Sequence, residues 1–149
     1  RPILLHPESR GHLRLRSTDP RDTVKVFQNF FSVDSDMETL REGVRMARRA
    51  TVQTPLDPYR GDEIDPGISV TDDNEIDAWI RETMVTAHHP ACTCPMGVTE
   101  TAVLDAEMKV RGAENLRVVD ASAMPDLTSG NINAPVLMMA EKASDIILS

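Results

Sequence analysis

Two histidines and two cysteines fall within the run His88-His89-Pro90-Ala91-Cys92-Thr93-Cys94, and two asparagines flank an isoleucine in Gly130-Asn131-Ile132-Asn133-Ala134-Pro135. Both runs carry too much proline and glycine for ordinary core. A neutral imidazole can accept a proton near neutral pH. An asparagine at the start of a helix stands at the positive end of the helix dipole, where developing negative charge is favoured. Proton abstraction beside a group that gains negative charge is therefore the chemistry these residues allow, with His89 and Asn131 foremost. Each also fits a plainer role: His89 a satisfied loop histidine, Asn131 a turn residue, Asn133 the cap of a following helix.

The cysteines raise two rival chemistries. Structural zinc sites space a ligand pair by two to four residues and take a second pair from elsewhere, whereas Pro90 restricts this turn and the chain has no third cysteine. No metal is expected. Nucleophilic catalysis needs a thiolate, and neither Cys92 nor Cys94 has a helix start or basic cluster nearby to favour one. Two cysteines separated by one residue cannot make a disulfide framework, so a reducing, cytoplasmic setting is expected.

The elements that must position these runs can be read from periodicity. Leu13-Arg14-Leu15-Arg16 alternates like a strand with one buried face, and Asp19-Pro20 ends it. Met37, Leu40, Val44 and Ala47 mark an amphipathic helix, with Ser35 or Asp36 placed to cap it and Arg48-Arg49 near its end. Residues 52–72 read as irregular connection. A second helix is expected over 73–86, with Ile76, Trp79, Ile80 and Thr83 on one face and Asp72 or Asp73 at its start. Lys109-Val110-Arg111 and Leu116-Arg117-Val118-Val119 read as short strands, 121–133 as loop. Pro135 suits a first helical turn, and Val136, Met139, Ala140, Ala143, Ile146 and Ile147 predict a largely buried final helix. The fold class is α/β in the mixed α+β sense.

Composition limits what this set can do alone. A domain of this size could bury about 68% of its unfolded surface, but only five aromatic residues and eight methionines are present, with ten prolines interrupting the chain. A piece of something larger fits better than a one-domain monomer. The net charge of −8 argues against a nucleic-acid or anionic-membrane partner. The longest apolar run, 134–140, falls well short of the roughly 20 residues of a membrane span, and no leader sequence is expected from the pattern of the first residues.

The same runs, taken with their neighbours, resemble a known family. His89-Pro90, Thr93-Cys94 and Met96-Gly97, then Leu116 to Ser122 and Met124-Pro125, then Ser129 to Pro135 and Ala140-Glu141-Lys142-Ala143, closely resemble the C-terminal region of the glucose-methanol-choline (GMC) oxidoreductases. Pro7-Glu8-Ser9-Arg10-Gly11 and Asp19-Pro20 extend the likeness to most of the chain. Cys92, where glycine is common elsewhere in the family, is most similar to choline dehydrogenases and their relatives. At His88 many relatives carry an aromatic residue.

The resemblance implies an FAD-dependent alcohol dehydrogenase or oxidase. It implies that His89 is the base taking the hydroxyl proton while hydride leaves the alcohol carbon for flavin N5, and that Asn131 hydrogen-bonds the oxygen. It places Asp120 and Ala121 against the flavin and its phosphate-bearing chain, and Asn133 and Ala134 at the isoalloxazine edge. The family binds ADP through a Gly-x-Gly-x-x-Gly turn, yet the seven glycines here include no Gly-x-Gly. The partner implied is an N-terminal polypeptide carrying that motif, together with a small alcohol substrate. Residues 1–82 would then belong to the substrate-binding domain and 83–149 would complete the FAD-binding domain. The other readings are a non-catalytic interaction module derived from such an enzyme and, behind it, a small zinc-binding domain.

Overall fold

A computed structural model describes residues 2–149. Two compact units emerge, one from residues 2–11 and 28–87, the other from 12–27 and 88–149.

In the first unit, α1 (Asp34–Thr51) and α2 (Asp73–Thr83) pack through Met37, Val44, Ile76 and Ile80, all buried, with Phe31, Leu40, Val70 and Trp79 around them. The three-and-four spacing puts these side chains on one stripe of each helix. Arg41 then forks onto Asp77, both bonds at 2.7 Å. Asp72 caps α2 as expected, accepting from the Asn74 N–H at 2.8 Å, while Glu75 reaches back to the Asp72 amide. The helix stops at Thr83, three residues early, where Met84 turns extended.

The expected cap of α1 is not made. Val33 is the N-cap, with no side-chain bond. The Asp36 carboxylate is turned instead onto the amides of Glu8 and Ser9, at 2.8 and 2.9 Å, and Ser9 Oγ accepts from the Val33 N–H at 3.2 Å. These bonds fasten the Pro-Glu-Ser-Arg-Gly segment to the start of the helix. Residues 52–72 are not wholly irregular, since Thr54–Tyr59 forms a 3₁₀ turn. Arg48 holds the rest to α1, bonding both Glu63 carboxylate oxygens and the carbonyls of Gly67 and Val70.

The second unit begins with a ribbon in which β1 (His12–Arg14) pairs antiparallel with β2 (Lys25–Phe27), His12 stacking on Phe27 at 4.5 Å. Its core is Leu104, Met108, Ala123, Met124, Ile132, Met139 and Ala143. The two strands expected at 109–111 and 116–119 shrink to isolated bridges, Leu104 to Val110 and Lys109 to Arg117. Left-handed turns at Met108 (φ 59°) and Asn115 (φ 57°) interrupt the pairing on either side.

α3 (Asn133–Leu148) closes the chain. Its burial is narrower than expected: Met139 and Ala143 are buried, whereas Leu137, Met138, Ile147 and Leu148 are exposed. The apolar residues encircle the helix, and among the described residues only the stripe of Met139 and Ala143 is buried. Among the described residues no helix is long and apolar enough to cross a membrane.

Candidate active site

His89 sits between two residues whose backbone is left-handed, His88 (φ 59°) and Cys92 (φ 65°). Glycine adopts this conformation without strain, and other residues rarely do. Pro90 locks its own φ and restricts His89 to extended geometry, so the short segment has little freedom. Its downstream end is anchored. The amides of Cys92, Cys94 and Met96 donate to the carbonyls of Ala121, Ser122 and Ala123 at 3.2, 2.9 and 3.0 Å. Ala123 is fully buried, so the anchor is part of the core.

Asn131 is held from the other side. Ile132 is the N-cap residue of α3 and is buried at 7% exposure, while its neighbours Asn131 and Asn133 stand exposed. Pinning the isoleucine thus presents both asparagines outward. The structure brings His89 and Asn131 together, His89 Nε2 lying 3.3 Å from Asn131 Oδ1. The amide is neutral in either orientation and offers an acceptor oxygen to a protonated ring or an N–H donor to a neutral one. It can therefore stay beside His89 through a change of protonation.

Asn133 does not cap α3, since no side-chain bond closes this end. It is instead the first helical residue, followed by the exposed Ala134. The first backbone bond of the helix runs from Val136 N–H to Ile132 C=O. The Asn133 and Ala134 amides thus belong to the first turn, which leaves its donors without intrahelical partners, and Pro135 has none to offer.

Asp120 and Ala121 form the third corner. A 3₁₀ turn over Ala121–Ala123 breaks the expected loop, with Asp120 as its cap. Asp120 Oδ1 accepts from the Ser122 amide at 2.7 Å and from the Ser122 hydroxyl. The turn that carries Asp120 is therefore the one to which the His89 segment is tied. Ser122 was not among the residues singled out from sequence, although a serine two places after an aspartate is an Asx-turn signal. The left-handed backbone of Cys92 had a signal in the glycine common at that position elsewhere in the family.

Comparison with known proteins places the chain in a family. The family model of GMC oxidoreductases matches residues 7–140. The oxygen-dependent choline dehydrogenase of Pseudomonas syringae pv. tomato is 48% identical over 139 residues, 93% of this chain and 24% of that protein. The mitochondrial choline dehydrogenase of Mus musculus is 52% identical over 139 residues, 92% of this chain and 23% of that one. An FAD-dependent oxidoreductase from Chaetomium thermophilum superposes with a TM-score of 0.90 at 31% identity, over 96% of this chain and 25% of that one. The chain spans about a quarter of the length of these relatives. With a match over most of its residues, the chain belongs to the glucose-methanol-choline oxidoreductase family, as its C-terminal domain.

Proposed function

We propose that these residues carry the proton-handling pair and part of the flavin surface of an enzyme that oxidises a primary or secondary alcohol. The observation that carries this reading is the 3.3 Å approach of His89 Nε2 to Asn131 Oδ1. His89 takes the hydroxyl proton, and Asn131 donates a hydrogen bond to the oxygen as it becomes alkoxide-like. A base of this kind accelerates a reaction by roughly 10²–10⁴-fold.

The family works with FAD, which when bound supplies the hydride acceptor. Two features of the chain fit such a group. The side-chain cap missing at the start of α3 leaves the Asn133 and Ala134 amides beside a positive helix end, suited to an electron-rich ring edge. Ala121 and Ala134 are small and not buried, so a flat ring or its side chain can come close to the backbone there. Asp120 and Ala121 would hold the flavin and its phosphate-bearing chain; Asn133 and Ala134 would border the isoalloxazine.

The nucleotide cradle comes from polypeptide beyond these 149 residues, carrying the Gly-x-Gly-x-x-Gly turn. In the assembled protein, residues 1–82 contribute to the substrate-binding domain and 83–149 complete the flavin domain. Choline is the alcohol to test first, because it appears in the names of relatives that share about half of this sequence. The test is anaerobic mixing of the flavin-loaded, full-length protein with choline and with simple alcohols. Loss of the oxidised flavin absorbance is expected, and slowing of that loss in His89→Ala. A full-length protein that holds no flavin, or a His89→Ala variant as fast as the parent, overturns the reading.

A further inference from the structure

We infer that Cys92 is a positioning residue for His89, acting through its backbone rather than its thiol. The inference rests on His89 being the base, and deepens that reading by naming what fixes the base in place.

From His89 through Met96, the last residue of the segment bonded to Ala121–Ala123, one residue adopts a conformation unfavourable to any residue with a Cβ, and that residue is Cys92 (φ 65°). The Cys92 amide donates to Ala121 C=O, and this is the first of the three bonds that tie the segment to residues 121–123. His89 lies three residues upstream of that bond. If Cys92 relaxed to negative φ, its amide would turn away from Ala121 and residues 88–91 would swing with it. The anchor at Cys94 and Met96 would survive. The imidazole would then lose its place beside Asn131 while the core stayed intact.

This separates backbone from side chain in a way substitutions can read. Glycine adopts positive φ freely. Serine matches the size of cysteine without branching. A β-branched valine at positive φ is a true outlier. In the full-length, flavin-loaded protein, Cys92→Gly and Cys92→Ser should keep kcat within about threefold of the parent. Cys92→Val should lower kcat by roughly 10²-fold, the penalty of a misplacement near 1 Å, with flavin content and KM changed far less. The pH at which kcat/KM falls on the acid side should move in Cys92→Val and stay put in Cys92→Gly.

If Cys92→Val folds poorly, the glycine variant decides alone: a flavin-loaded Cys92→Gly with kcat reduced tenfold or more shows that the thiol matters and overturns the inference. A Cys92→Val variant as active as the parent overturns it too. His89→Ala, measured beside them, keeps the two readings apart. No loss in His89→Ala would fell the base itself, whereas loss there with a harmless Cys92→Val would fell only the positioning role.

Discussion

His89 Nε2 and Asn131 Oδ1 meet at 3.3 Å across 42 residues of sequence, each carried by a segment fastened to the same core. Two separate pins produce that meeting: the bonds from residues 92–96 to residues 121–123, and the burial of Ile132. His89→Ala should lower kcat for alcohol oxidation by roughly 10²–10⁴-fold while leaving the flavin bound. His89→Gln should do no better, since an amide cannot accept the proton. Steady-state kinetics with the flavin spectrum recorded on the same samples will check both.

The two asparagines should differ, because their environments do. Asn131 faces the imidazole, whereas Asn133 occupies the first position of α3 and forms no side-chain cap. Asn131→Ala removes a bond to a group that becomes charged, a loss of about 1.5–3 kcal/mol or roughly 10–10²-fold in rate. Asn133→Ala should stay within a few-fold of the parent. Equal effects on kcat would mean that the wrong asparagine has been placed beside the reacting oxygen.

Asp120 links the flavin proposal to a bond that can be cut. Its Oδ1 holds the Ser122 amide and hydroxyl, and the loss of such a cap typically costs about 1 kcal/mol. Asp120→Ala should loosen the turn and lower the flavin retained after gel filtration. Asp120→Asn, which keeps an acceptor oxygen, should retain more. The ratio of flavin to protein absorbance measures this, and equal retention by the two variants would show that charge, not capping, governs binding.

How much of this was legible from sequence differs by element, for physical reasons. α1 and α2 were legible because Met37, Leu40 and Val44, and Ile76 and Ile80, repeat at the helical period, and the Asp72 cap because capping is local. Asp36 misled, since its partners Glu8 and Ser9 lie 28 and 27 residues away and a local rule sees only the nearest amides. β2 went unread although Val24-Lys25-Val26 alternates, and β1, read as a strand with one buried face, is as exposed as β2, so the pair is held by its ladder and not by a buried face. At the site, the motifs pointed to His89 and Asn131 by residue type. The left-handed backbone at Cys92 is not announced by the cysteine itself, but it agrees with the glycine common at this position elsewhere in the family.

Arg48 should prove the main fastening of the connection between α1 and α2. Its guanidinium reaches Glu63 at 2.7–3.1 Å, Val70 C=O at 2.8 Å and Gly67 C=O at 3.1 Å. With the Arg48 and Glu63 side chains each 22% exposed, solvent screens the pair only in part. Arg48→Met should destabilise the full-length protein by roughly 1–3 kcal/mol in urea unfolding. Arg48→Lys should recover less than half of that, because an ammonium lacks the planar fork. Full recovery by lysine would show that charge alone holds the connection.

Asp36 should make stability depend on acid pH in a direction that can be worked out. Burial by itself would raise its carboxyl, but hydrogen bonds from the Ser9 side chain and from the Glu8 and Ser9 amides outweigh that and hold it below the usual carboxylate range. A carboxylate depressed in the folded state binds its proton more readily when unfolded, so its contribution is complete above the unfolded value of about 3.9 and drains away as pH falls through that value towards the folded one. Asp77, lowered by the side-chain bond from Arg41, acts in the same sense, so the pH profile of the parent alone cannot isolate Asp36. The difference between the parent and Asp36→Asn can, because Asp77 titrates in both. That difference in unfolding free energy should be constant from pH 7 to about 5 and shrink below about pH 4. A difference that stays flat to pH 3 would mean that Asp36 carries no folding-linked proton, and that its bonds to Glu8 and Ser9 act as neutral contacts only.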